Sequence, residues 1–215
     1  MDEKIRNEIL SVCRWLHQQG LLAAADGNVS CRQTDERILI TPTARNKAYV
    51  EPGDIAVITL DGRCIEGQPS GEMPMHLEVY KKCEKAKYVV HAHPPVAIAW
   101  SIARPDLKEL PYEALSEVIL AAGKIPIVSY ARPTTRAMAE AISPYIQNHR
   151  TLILARHGAL SWGETMEEAY NGIERLEHSA RILKAAQDLG GITPLPEEEL
   201  QFLWKMRAKL GNRNL

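Results

Sequence analysis

Apolar positions recur every three or four residues at the start of the chain. Ile5, Ile9, Val12, Cys13 and Leu16 share one face and the pattern stops at Gly20, which predicts an amphipathic helix over residues 2 to 19 with a glycine terminator. From Asn28 to Gly67 the texture changes to short β-rich runs, Ile38 to Thr41 and Ile55 to Leu60, and the second ends in Asp61-Gly62, a hairpin turn signal. Helical spacing returns over Met75 to Cys83. Tyr88-Val89-Val90-His91-Ala92-His93 then reads as a buried strand closed by Pro94-Pro95, with a further helix after Pro95. A helix near Glu113 to Ala122, a strand at Ile125 to Val128, a helix over Met138 to Tyr145 and a strand at Thr151 to Ala155 follow. The longest helix is predicted from Thr165-Met166-Glu167-Glu168, a capping-box signature, to Gly190-Gly191, and a last one covers about Glu197 to Leu210.

The hairpin signal means the sheet is not all parallel, while the interleaved helices need both of its faces to pack against. The expected architecture is therefore an α/β fold, a three-layer α/β/α sandwich around a mixed, largely antiparallel sheet. No composition break, repeat or low-complexity tract divides the 215 residues, so a single domain over 1–215 is expected.

Charge narrows the function classes. With 26 Lys and Arg against 27 Asp and Glu, the formal charge of -1 supplies no field for a phosphate backbone or an anionic membrane. The opening Met1-Asp2-Glu3-Lys4-Ile5-Arg6 mixes signs and no apolar run has the length of a membrane helix, which predicts a cytoplasmic protein. Cys13, Cys31, Cys64 and Cys83 form no C-x-x-C pair and read as small core residues.

Histidine carries the chemistry. His91 and His93 stand at i and i+2 on the most distinct strand, so both imidazoles point to one face and can reach one ion. An open tetrahedral zinc site uses three protein ligands. Arg156-His157-Gly158, beyond the Thr151 strand, supplies a third imidazole, and Glu72, ahead of the Met75 helix, a carboxylate. His76 is a rival ligand four residues after Glu72, read here as a supporting or structural group. His17, His149 and His178, among polar neighbours, read as solvated surface.

In this order Gly27-Asn28-Val29-Ser30, Ile40-Thr41-Pro42-Thr43, Pro69-Ser70-Gly71-Glu72 with Met75-His76, Val89-Val90-His91-Ala92-His93 and Arg156-His157-Gly158-Ala159 resemble the class II aldolase/adducin family over roughly residues 5 to 210. The resemblance implies a divalent metal, usually Zn2+ or another first-row ion such as Mn2+ or Co2+, held by His91, His93 and His157. It implies that Glu72 ligates the empty metal and becomes the acid/base group when substrate arrives, and that Glu117 is a second acid/base carboxylate reaching a neighbouring subunit's site. Gly27, Asn28, Thr43, Ala44, Ser70 and Gly71 match the family's phosphate turns, although Gly71 replaces a small hydroxyl residue and Ala44 replaces the usual glycine. A tyrosine that often completes the neighbouring site near the C-terminus of aldolase relatives has no counterpart after Tyr170.

The activity so implied is reversible cleavage of a phosphorylated ketose of the fuculose 1-phosphate type to dihydroxyacetone phosphate and a short aldehyde, by a homotetramer with sites between subunits. The alternatives are dehydration of methylthioribulose 1-phosphate, epimerisation of a pentulose phosphate, or a non-catalytic adducin-like scaffold. The chemistry is self-consistent. Such a cleavage leaves an enediolate, which needs an imine sink or a Lewis acid, and neutral imidazoles leave a divalent ion its full charge for that task.

Overall fold

Eight strands form one open sheet in the order β4-β3-β2-β1-β5-β8-β7-β6. The computed structural model describes residues 2–211 and 213–214. The strands are β1 (Asn28–Thr34), β2 (Arg37–Ile40), β3 (Ala56–Ile58), β4 (Cys64–Glu66), β5 (Tyr88–Ala92), β6 (Ile127–Val128), β7 (Thr151–Leu154) and β8 (Gly158–Gly163). Among them only β6 and β7 pair in parallel; every other ladder is antiparallel. The helices are α1 (Asp2–Gln18), α2 (Met73–Lys82), α3 (Pro95–Ala103), α4 (Ser116–Ala121), α5 (Arg136–Ile142), α6 (Met166–Asp188) and α7 (Glu197–Leu210).

Strand alternation feeds two cores. Val90, Ala92, Ile153 and Ala159 face a cluster built with α1, α3, α4, α6 and α7, while Val89, Leu152, Leu154 and Leu160 face a second one built with α2 and α5. The expected three-layer α/β/α sandwich follows from that two-sided burial.

Most predicted elements recur with shifted ends. The Glu113 helix begins only at Ser116, because Leu115 is still extended at φ -132, ψ 108. The Thr165 capping box is half formed: the Thr165 hydroxyl accepts from Glu168 N, while the Glu168 carboxylate caps Glu164 N instead. β8 was not legible. Gly158-Ala159-Leu160-Ser161-Trp162-Gly163 has no β-branched residue and a glycine at each end, so its local preference is weak, yet all its residues are buried between β5 and β7. Cys64, expected in the core, is exposed on the edge strand β4, where no second layer covers it. His178 is exposed as expected, whereas His17 is half-buried with Nδ1 shut off from solvent and His149 Nδ1 lies 3.2 Å from the Lys124 carbonyl.

Antiparallel order fixes where chemistry can gather. The start of β1, the end of β5 and the start of β8 meet at one end of the central strands, and the N-terminus of α2 lies over that end.

Candidate metal centre

His91 sits opposite Asn28 on β1 and Leu160 on β8, fully buried on the α2 face. Its Nδ1 is 2.9 Å from the Ala159 carbonyl and donates to it, since a carbonyl can only accept. The Nε2 lone pair is thereby turned into the site. His93 lies one residue past β5, its backbone N–H bonded to Leu21 O at 2.8 Å. Its Nδ1 faces Asp26 Oδ2 at 3.3 Å, which likewise presents the Nε2 lone pair inward.

His157 enters from the tight turn between β7 and β8, where Arg156 adopts a left-handed φ of 60. Because β8 pairs with β5, that turn falls beside His91 and His93, with ring centroids 4.8 to 5.2 Å apart. Gly158 permits the approach. A Cβ there would meet Ala92 O at 2.6 Å, His91 Cε1 at 2.7 Å and His93 Cδ2 at 2.9 Å.

Glu72 is the N-cap residue of α2, and its carboxylate makes no cap bond. Oε2 lies 3.2 Å from His91 Nε2 and Oε1 lies 3.1 Å from His157 Nε2, while His91 and His93 bring their Nε2 atoms to 3.1 Å. Inward lone pairs at such spacing repel each other unless a cation lies between them. Four donors at about 2.1 Å from a tetrahedral ion stand about 3.4 Å apart, close to the spacings found here. Glu72 Oε1 is also buried without a hydrogen-bond partner. The donor set suits a divalent ion, and His91, His93 and His157 form a group that could hold one.

Electrostatics agree with that geometry. Burial works to raise the Glu72 pKa, but the neighbouring His91, His157 and Asn28 groups outweigh it and hold the carboxyl well below the usual range. Burial, then His91, lowers the His93 pKa to about 4, so that ring is neutral and able to ligate at pH 7.

His76 is not a ligand here. It is fully buried, with Nδ1 2.7 Å from Ser30 Oγ and Nε2 2.5 Å from Asn28 Oδ1. Asn28 in turn donates from Nδ2 to Glu72 Oε2 at 2.8 Å.

The expected phosphate residues lie around this centre. Gly27, at φ 69, packs against the His91 carbonyl, and a Cβ there would meet that oxygen at 2.7 Å. The Thr43 and Ser70 turns are tied together through Thr43 N to Gln68 O and Ser70 N to Thr41 O, both at 3.1 Å. Ala44 adopts a left-handed φ of 52, and Gly71 faces Thr134. Glu117 is exposed in the first turn of α4, where its carboxylate accepts from Ser116 Oγ at 2.9 Å. Among the described residues no hydrogen bond or ion pair joins it to the three histidines.

Two residues were not anticipated. Asp26 is the one charge in Ala23-Ala24-Ala25-Asp26-Gly27, an isolation that could have marked it. Lys47 is 2% exposed, yet its ammonium donates to Ala25 O at 2.6 Å and Arg45 O at 2.7 Å, pinning the Gly27 turn to the Thr43 turn. Nothing in its local sequence signals that burial. A groove of about 1250 Å³ between α1 and the start of α6 contains none of these groups; convergent donors, not volume, locate the site.

Similarity to known proteins points the same way. The family model described as Class II Aldolase and Adducin N-terminal domain matches residues 7–183. The chain is 29% identical over 189 residues to 3-oxo-tetronate 4-phosphate decarboxylase of Escherichia coli O6:H1, covering 85% of this chain and 87% of that one. It is 30% identical over 212 residues to 5-deoxy-D-ribulose 1-phosphate aldolase of Bacillus thuringiensis serovar kurstaki, covering 94% and 95%. The crystal structure of L-fuculose-1-phosphate aldolase from Thermus thermophilus superposes with a TM-score of 0.78 at 31% identity, over 88% of this chain and 97% of that one. A match over most of the chain, with the sandwich and the histidine cluster in place, makes this protein a member of the class II aldolase and adducin family.

Proposed function

We propose that the chain is a metal-dependent lyase that cleaves a phosphorylated ketose of the fuculose 1-phosphate type, reversibly, to dihydroxyacetone phosphate and a short aldehyde. The observation that carries this reading is the convergence of three imidazoles and Glu72 on one point at the ends of the central strands. His91, His93, His157 and, before substrate arrives, Glu72 would hold the ion. When bound, the ion supplies a Lewis acid that draws charge from the carbonyl and hydroxyl oxygens of the substrate.

The chain's own groups do the rest. Breaking the carbon-carbon bond releases the hydroxyl proton of the future aldehyde and leaves an enediolate that must gain a proton at carbon. Glu72, with Oε1 free of hydrogen bonds, delivers that second proton and removes it in the reverse direction. Glu117 is exposed and free to serve the hydroxyl proton of a neighbouring subunit's site. The Gly27-Asn28, Thr43-Ala44 and Ser70-Gly71 turns hold the phosphate, with the Lys47 charge behind two of them. A homotetramer with sites between subunits suits a centre at the ends of the central strands and a Glu117 that faces outward.

Decarboxylation of a phosphorylated 3-oxo acid is the second reading, favoured by the Escherichia coli relative; it also leaves an enolate and needs the same electron sink. The deciding experiment incubates the metal-loaded protein with a panel of ketose phosphates and a 3-oxo-tetronate 4-phosphate. Dihydroxyacetone phosphate plus an aldehyde is expected; carbon dioxide would select the second reading, and a single dehydrated or epimerised product would overturn both. A purified protein without stoichiometric metal would point to the scaffold.

A further inference from the structure

Five side chains line up behind the centre. Tyr80 Oη lies 2.7 Å from Ser30 Oγ, Ser30 Oγ 2.7 Å from His76 Nδ1, His76 Nε2 2.5 Å from Asn28 Oδ1, and Asn28 Nδ2 2.8 Å from Glu72 Oε2. Tyr80, Ser30, His76 and Asn28 are each at most 2% exposed, so water cannot substitute for a missing partner. β1 presents Asn28 and Ser30 on one face, and α2 lays His76 and Tyr80, one turn apart, over them.

The direction of every bond follows from the last one. An ionised carboxylate only accepts, so Asn28 must turn its amide nitrogen, not its oxygen, toward Glu72. Oδ1 then faces His76 and can only accept, which requires a proton on His76 Nε2. Burial, then the neighbouring His91, lowers the His76 pKa to about 3, so the ring is neutral and Nδ1 must accept. Ser30 therefore donates to His76, and Tyr80 donates to Ser30.

We infer that His76 is a positioning residue: with Ser30 and Tyr80 behind it, it forms a one-way hydrogen-bond relay that locks the Asn28 amide and thereby anchors Glu72 through Oε2, leaving Oε1 as the oxygen that moves protons. Reversing any one link reverses the amide and sets its oxygen against the carboxylate. The bonds polarise one another in the same sense, each strengthening the next toward the centre. Asn28 keeps its second amide hydrogen for the substrate, so the relay and a phosphate or hydroxyl contact are compatible. The assignment of Oε1 rests on the lyase reading above; the direction of the relay does not.

Long-range 1H–15N correlation of the histidine rings in the metal-loaded protein at pH 7 reads that direction without any substrate. A neutral His76 carrying its proton on Nε2 is expected; an Nδ1-protonated ring or an imidazolium would overturn the relay. Kinetic variants test the positioning role in whichever lyase reaction the protein performs. His76→Phe keeps a ring but no donor, and turnover should fall about 10- to 100-fold with KM changed much less and metal content retained. His76→Gln restores a donor near Nε2 and should recover most of that loss. Equal turnover of the two variants, or undiminished turnover of His76→Phe, would refute the positioning role. Should His76→Phe not fold, Ser30→Ala replaces it: it removes the donor to Nδ1 and loosens the ring behind Asn28, so turnover should fall with metal content retained, and unchanged turnover would be the refuting result. An Nε2-protonated ring in a protein that cleaves no sugar phosphate would sink the functional reading and leave the relay standing.

Discussion

The two halves of the site are held by different kinds of force. At the metal end, side chains are fixed by strand register and burial: His91 by its place in β5 and its bond to Ala159, His157 by the β7–β8 turn, Glu72 by the N-terminus of α2. At the end proposed to hold the phosphate the backbone itself is the instrument, bent through left-handed conformations at Gly27 and Ala44 and pinned by one buried ammonium. The first arrangement gathers the histidine nitrogens and the Glu72 carboxylate around one point. The second offers N–H groups on loops, where residues change without disturbing the core. Ala44 and Gly71, the positions where the sequence resemblance is imperfect, both lie in the second half.

That contrast can be broken from its strong end first. His93→Ala removes one inward lone pair and should abolish both bound ion and turnover, a loss of more than about 100-fold, while leaving the phosphate turns intact. Elemental analysis and kinetics on the same sample check it, and a variant that kept its metal would show that His93 is no ligand. Glu72→Gln preserves the shape and the histidine triad but cannot carry a proton between carbon and site. Metal should remain while turnover falls about 10²- to 10⁴-fold, and normal turnover would remove the acid/base assignment.

Acid should separate the two halves next. The folded pKa values of His93 and His76 lie at about 4 and about 3 against 6.5 for a free ring. The unfolded chain therefore binds more protons, and the stability these neutral rings confer is fully present above pH 6.5 and is lost as pH falls toward 4. Denaturant midpoints of the metal-free protein should drop across that window, and a flat profile would contradict the buried neutral rings. The smallest effect is at the other end. Ala44→Gly relieves a left-handed alanine at a cost in unfolded-chain entropy, so a gain of at most about 1 kcal/mol is expected in thermal unfolding, with the ion unaffected.

Much of this was readable from the chain. Period-2 and period-3.6 patterns placed α1, α2, β5 and α6, and strand alternation put His91 on one side of its strand. His93 shows the limit. It falls just beyond β5, and Asp26, from a distant turn, orients its ring. β8 is not legible in the sequence because its residues have little preference of their own for a strand, and burial between β5 and β7 overrides that. The role of His76 was half legible: its spacing from Glu72 was visible, but Asn28 and Ser30, which settle it, come from β1.

By itself the sequence determined which side chains have the chemistry to ligate a metal or move a proton, most of the segments that are helix or strand, and a formal charge of -1. Those are local properties, set by side-chain chemistry and by periodicity. Only the tertiary structure decided that β8 lies beside β5, which carries His157 across to His91 and His93, and that α2 covers β1, which turns His76 toward Asn28. Convergence of groups remote in the chain depends on strand order and layer packing, and both are set by the burial of the whole sheet at once.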